Sequence, residues 1–174
     1  MGFTPLEGLV MATRSGSVDP GLLLWLQRTA GVEVEALADG LEHRSGLLGL
    51  GGTADMRELL AAVEDGSEVA ALARDVYVHR LRAGIASMTA SMNGLDALVF
   101  TGGVGENAAP IRAAAVDGLG FLGLDIDAES NELQAGDRVI SSGAGNADVL
   151  VVASREELEI ARQVRRLQGS APRA

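Results

Sequence analysis

Ala97-Leu98-Val99-Phe100-Thr101-Gly102-Gly103-Val104-Gly105-Glu106-Asn107 passes from a short unbroken apolar run into a glycine-rich turn. The run follows Gly94 and suits a strand covered on both faces. A helix from about Ala108 to Asp117, closed by Gly118, is expected next. Strand, glycine turn and helix in this order let backbone amides approach a ligand closely, because glycine carries no Cβ. The helix start adds free N–H groups and a partial positive charge, which suit phosphate or ribose oxygens. The same spacing also fits a plain tight turn with Asn107 as an ordinary N-cap. It is not the dinucleotide fingerprint, since the G-x-G-x-x-G spacing fails after Gly105.

Upstream of this stretch the chain reads as helical. Asp19-Pro20 is an N-cap followed by proline at the first helical position, with Leu22, Leu23, Trp25 and Leu26 on the apolar side. A second short helix is expected over Val34 to Leu41. Ser45 to Thr53 combines four glycines with three leucines and reads as a buried loop. Met56, Leu59, Leu60 and Val63 mark an amphipathic helix that stops at Asp65-Gly66. From Ser67 to Met92 the apolar spacing predicts one helix about 39 Å long at 1.5 Å per residue. Downstream, Leu124 to Asp127 and Arg138 to Ser141 read as short strands around a polar loop, and Val149 to Val152 as a buried strand. Ser154-Arg155-Glu156-Glu157 opens a final amphipathic helix ending near Leu167, with Ser154-x-x-Glu157 fitting a capping box. The tail from Gly169 to Ala174 is expected to be disordered. Many helices and only two convincing core strands leave a sheet too small to cover them. Either more strands come from elsewhere or the chain is part of something larger.

Composition narrows the chemistry. The 174 residues carry 24 acidic groups against 14 basic ones, every one an arginine, for a net charge of −10. Without lysine there is no Schiff base, no lysine general base and no Walker-A loop. Without cysteine there is no disulfide, thiol nucleophile or cysteine zinc site. His43 and His79 fit no compact metal motif and read as structural. The acidic balance argues against nucleic acid as the main partner, although a few converging arginines would still take a small anion. No apolar run approaches the roughly 20 residues of a membrane span, and the first residues lack the basic start and apolar stretch of a signal peptide. A cytoplasmic location is the expectation.

Leu98 to Asn107 resembles the nucleotide-binding segment of acetate kinases. Met1-Gly2-Phe3-Thr4-Pro5-Leu6-Glu7-Gly8-Leu9-Val10-Met11-Ala12-Thr13-Arg14-Ser15-Gly16 resembles the same family's signature. So do Ser45 to Gly49, Asp55-Met56-Arg57, and Gly118-Leu119 to Gly123-Leu124. These matches fall in family order from the first residue to about Leu167. The resemblance implies an α/β fold: a partial, helix-rich domain of the actin-like, ribonuclease-H-like superfamily of acetate and sugar kinases, heat-shock chaperones and actin. Such proteins close two domains over a nucleotide. The implied reaction is acetate plus ATP giving acetyl phosphate plus ADP, with magnesium, in a homodimer. Residues 1–168 would form the C-terminal nucleotide-binding portion. The family's N-terminal domain, its first phosphate-binding segment, its active-site histidines, its catalytic aspartate and its His-Leu-Gly-Asn-Gly loop have no counterpart in this sequence.

By the same resemblance, Arg14 matches the arginine set against the carboxylate and the transferring phosphoryl group, a role that a planar guanidinium suits. Asp55, Met56 and Arg57 match the segment beside adenine and ribose, while Gly103, Val104, Gly105, Glu106 and Asn107 would line the nucleotide on its other side. Glu106, being negative, is assigned ribose hydroxyls or loop geometry. Glu156 matches the magnesium-linked glutamate, with Ser154-Arg155 standing where the family usually has Thr-Asn. Two readings follow: an acetate kinase portion that is inactive alone, with propionate or butyrate as other acyl acceptors, or a catalytically incompetent remnant that binds nucleotide or merely dimerises.

Overall fold

The computed structural model describes residues 2–169. In chain order these form α1 (Pro20–Arg28), α2 (Val34–His43), α3 (Gly46–Gly51), α4 (Met56–Glu64), α5 (Glu68–Met92), β1 (Ala97–Phe100), α6 (Gly102–Asn107), α7 (Ala109–Asp117), a 3₁₀ turn (Gly120–Leu122), α8 (Ala128–Glu132), β2 (Arg138–Val139), β3 (Asp148–Val151) and α9 (Glu156–Gly169). Gly169, placed in the tail by sequence, closes α9, and the rest of that expected tail lies outside the described residues.

Local chemistry sets the helix starts. Asp19 caps α1, accepting from Gly21 N–H. Asp55 caps α4 through Arg57 N–H, and Ser67 caps α5 through Ala70 N–H. Each supplies an oxygen to a donor that the first helical turn cannot satisfy internally. The long helix ends at Asn93, whose φ of 59° is the left-handed cap that asparagine tolerates. His43 stays peripheral, 3.3 Å from Asp39 one turn back, and His79 lies on the exposed side of α5.

Two regions differ from the sequence expectation, the first because its glycines hide a helix. The segment expected as a buried loop forms α3, held by the preceding loop: Leu47 N–H donates to Met11 O, Leu48 N–H to Ala12 O and Ser45 N–H to Thr13 O. Gly46 cannot carry a side chain there, since a Cβ would lie 2.2 Å from Met11 O at a φ of +62°. Leu124 to Asp127 is not a strand; its last residue makes a single ladder-like bond, Asp127 N–H to Ile140 O. The polar loop expected after it contains α8, capped by Asp127 on Ser130 N–H.

The sheet order is β1-β3-β2, with β1 parallel to β3 (Ala97 opposite Asp148, Phe100 opposite Val151) and β2 antiparallel. The expectation that β1 is covered on both faces does not hold. Its outer edge is unpaired among the described residues and Val99 is 50% exposed. The core divides in two. Val10, Leu47, Met56, Leu59, Ala73, Val78 and Ile111 pack among the helices. Phe100, Ala115, Val116, Ile140, Val149 and Val151 pack on the sheet, and Leu81 of α5 touches both groups. Helix α7 spans the seam, and the glycine turn enters it there. Among the described residues no helix is long and apolar enough to cross a membrane.

Candidate functional site

Where β1 ends, the chain does not turn loosely but winds directly into α6. Gly102 has a φ of +73°, the conformation that favours glycine at the entry. The other two glycines serve different ends. A Cβ on Gly105 would stand 3.2 Å from the carbonyl carbon of Phe100, so this glycine lets α6 lie against the end of β1. A Cβ on Gly103 would meet nothing, because Gly103 faces open space.

That space is a cavity of about 770 Å³ between α4 and α6–α7, lined by Ala54, Asp55, Met56, Arg57, Leu60, Gly103, Val104, Asn107, Ala108 and Pro110. Six of the sequence-predicted residues therefore share one wall system, although Asp55 and Asn107 are far apart in sequence. Met56 is buried, with the core beneath it. Asp55 serves the helix and the site together. It accepts Arg57 N–H at 2.8 Å, and it holds the Arg57 guanidinium through Nε at 3.0 Å and Nη2 at 2.5 Å. That side-chain hydrogen bond, more than any other influence, holds the Asp55 carboxyl at about 2, well below the usual carboxylate range. The pair presents little net charge to a largely apolar cavity.

Asn107 is not the N-cap of the following helix. It closes α6, its Nδ2 donates to Gly103 O at 2.9 Å, and the cap position of α7 falls to Ala108. The start of α6 also differs from the expected free anion site. Gly102 N–H donates to Glu106 Oε1 at 2.8 Å, so a carboxylate already occupies that end. The same oxygen accepts Ser154 N–H at 2.8 Å. With that donor spent, the Ser154–Glu157 capping box does not form: α9 begins at Glu156, and Leu158 N–H bonds Arg155 O.

Arg14, Gly105, Glu106 and Glu156 lie outside the cavity lining. Arg14 sits in the loop stitched onto α3, exposed, with no side-chain partner among the described residues. Glu156 is exposed in the first turn of α9, whose early residues also include Glu157 and Glu159. No group of three or more His, Cys, Asp or Glu able to hold a metal occurs among the described residues.

The residue that sequence reasoning missed is Arg112. It is fully buried, makes no salt bridge among the described residues, and donates through Nη1 to Gly105 O and Glu106 O, both at 2.9 Å. Its Nε reaches Asn131 Oδ1 at 2.7 Å and its Nη2 reaches Asn131 O at 2.5 Å. Asn131 in turn donates to Ala109 O at 3.1 Å. Burial lowers the guanidinium pKa from its ordinary value. Arg112 thus satisfies from below the carbonyls that the end of α6 leaves without partners. A signal was present in the sequence: one arginine at the inward spacing of Ala108, Ile111, Ala115 and Val116.

A strand leading into a glycine-built helix beside a pre-formed, largely apolar cleft makes the kind of concave site that small molecules take in an α/β domain. The sequence profile of the acetokinase family matches residues 1–162, and the chain belongs to that family. Acetate kinase of Gloeobacter violaceus is 51% identical over 164 residues, covering 94% of this chain and 40% of that protein. Acetate kinase of Leifsonia xyli is 52% identical, covering 94% and 41%. Among solved structures, Porphyromonas gingivalis acetate kinase superposes with a TM-score of 0.88 at 39% identity, over 94% of this chain and 41% of its own. A propionate kinase from Francisella tularensis superposes with a TM-score of 0.86 at 42% identity, over 93% and 41%. The fold is thus the partial actin-like domain expected, and the chain spans about two fifths of the length of the curated relatives it matches.

Proposed function

We propose that this chain supplies the nucleotide-binding side of an acetate kinase and that catalysis needs residues lying outside it. The observation that carries the reading is the cavity that gathers Asp55, Met56, Arg57, Gly103, Val104 and Asn107. Its apolar floor and neutralised Asp55–Arg57 pair suit the adenosine part of ATP or ADP better than the phosphates, and the Glu106 carboxylate at the start of α6 repels phosphate from that end. Gly103 leaves room for the base or ribose, with Asn107 and the Asp55–Arg57 pair at the polar rim.

Bound ATP with its magnesium ion supplies the phosphoryl group. Magnesium keeps few protein ligands and leans on nucleotide phosphates and water, so a single exposed carboxylate such as Glu156 fits it in kind. Arg14, whose guanidinium has no partner among the described residues, would neutralise charge on the carboxylate acceptor and the transferring group. The acceptor is a short carboxylate; the likeness to a propionate kinase favours propionate as the second reading. Self-association as a homodimer belongs to the same proposal.

Titration calorimetry of the chain with ADP tests the reading. Weak binding is expected, and Gly103→Val should abolish it while leaving helicity unchanged, because valine fills the open space without straining the backbone. A variant that binds ADP as well as the parent, or a parent that does not bind, refutes the assignment of the cavity.

A further inference from the structure

We propose that Glu106 is a positioning residue: one oxygen of its carboxylate pins the glycine turn to the segment that opens α9, so that the nucleotide wall and Glu156 keep a set spacing. This rests on the nucleotide site proposed above. Glu106 Oε1 accepts from Gly102 N–H, four residues back, and from Ser154 N–H, 48 residues on. Ser154 stands two residues before Glu156.

The segment between β3 and α9 has no ladder of its own, yet three successive N–H groups are anchored to three different elements. Val152 donates to Phe100 O at the end of β1, Ala153 to Asp137 Oδ1 before β2, and Ser154 to Glu106. The Arg155 guanidinium closes the same corner on Asp137 Oδ2 at 2.8 Å. The first two anchors tie the segment to the sheet; among the described residues it is the Glu106 bond that ties it to α6, the helix beside the cavity. Glu106 is itself immobilised, because buried Arg112 holds its carbonyl oxygen and that of Gly105. Asn131, Arg112, Glu106 and Ser154 therefore form one hydrogen-bonded line from the interior to the start of α9. Bonds to an ionised acceptor are stronger than neutral ones, which suits a pin between segments far apart in sequence.

The geometry requires an acceptor oxygen at a fixed reach, which glutamine retains, aspartate falls short of and alanine lacks. The test uses the 174-residue chain with Glu106→Ala, Glu106→Asp and Glu106→Gln. Amide exchange by NMR is measured at Gly102 and Ser154, and ADP affinity by calorimetry with and without Mg²⁺. In Glu106→Ala and Glu106→Asp both amides should exchange about tenfold faster or more, as expected when a charge-assisted hydrogen bond is lost. The β1–β3 ladder should keep its protection in all variants. The gain in ADP affinity that Mg²⁺ gives the parent should shrink toward none in Glu106→Ala and return in Glu106→Gln, a pattern that a general loss of stability would not produce. Unchanged exchange at Ser154 in Glu106→Ala, an undiminished Mg²⁺ effect in that variant, or a glutamine variant that behaves like alanine would each overturn the pin. A parent that does not bind ADP refutes the nucleotide site instead, and exchange at Gly102 and Ser154 then decides the pin alone.

Discussion

Replacing Arg112 by alanine should be the most destabilising single change near the cavity. The truncation removes the donors that Gly105 O, Glu106 O, Asn131 Oδ1 and Asn131 O now use, and it leaves a void beneath α6. An unmade bond to a buried acceptor costs about 1–3 kcal/mol. If water entering the void recovers half of these bonds, the net loss is still about 2–6 kcal/mol, out of the roughly 5–15 kcal/mol typical of a domain. With a urea slope of about 2 kcal/mol per molar, the unfolding midpoint should fall by about 1–3 M. Arg112→Met, which keeps the stem and fills most of the space, separates lost hydrogen bonds from lost volume and should fall between alanine and the parent. Arg57→Ala, at the rim of the same cavity, is the control: that side chain is exposed, and its midpoint should hardly move. Urea titrations followed by circular dichroism read all three. If Arg112→Ala shifts the midpoint no more than Arg57→Ala, the buried guanidinium does not hold the turn and the account of this site fails.

Acid should weaken the fold within a defined window. Asp55, Asp127 and Asp137 are all held below their usual value, first by side-chain hydrogen bonds to Arg57, Ser130 and Arg155 respectively. A carboxyl whose folded pKa is depressed stabilises above its unfolded value and loses that contribution as pH falls toward the folded one. For Asp55 the loss runs from 3.8 down to about 2, so urea midpoints should decline below pH 3.8 and Asp55→Asn should flatten part of the decline; an identical slope in both proteins contradicts it. The chain should also self-associate, because Leu22, Leu24 and Trp25 of α1 stand about half exposed, β1 has an open edge and α9 carries an uncovered apolar stripe. Light scattering should give a mass above the 17.9 kDa of one chain, and a clean monomer at micromolar concentration would count against it.

Periodicity carried most of the architecture. The inward spacing of α5 and the caps at Asp19, Asp55 and Ser67 are written locally, so their helices form where the residues indicate. Helices α3 and α6 were illegible for the opposite reason: glycine is a poor helix former alone, and these two short helices are held by neighbours, the loop before α3 in one case and Arg112 with Glu106 in the other. The exposure of β1 could not be read from four apolar residues, since what covers a strand is decided by other segments. The chain resemblance pointed to the two walls of the cavity, and the fold brings them together. Glu106 and Ser154, 48 residues apart, become partners only through the tertiary fold, so the bond that displaces the expected capping box left no local mark.

The register that sets Ala97 opposite Asp148 carries a consequence for synthesis. The helical cluster is encoded almost wholly before residue 112, so its contacts are the more local ones. The sheet must wait. Among the described residues β1 pairs only with β3, some fifty residues later, and closing so large a loop is paid in entropy before that pairing is gained. During that interval the glycine turn has a finished wall on the α4 side and nothing on the other, because Ser154 is the last anchor to be made. The walls beside the cavity are therefore supplied in sequence order, with the Ser154 bond to Glu106 the latest of these anchors along the chain.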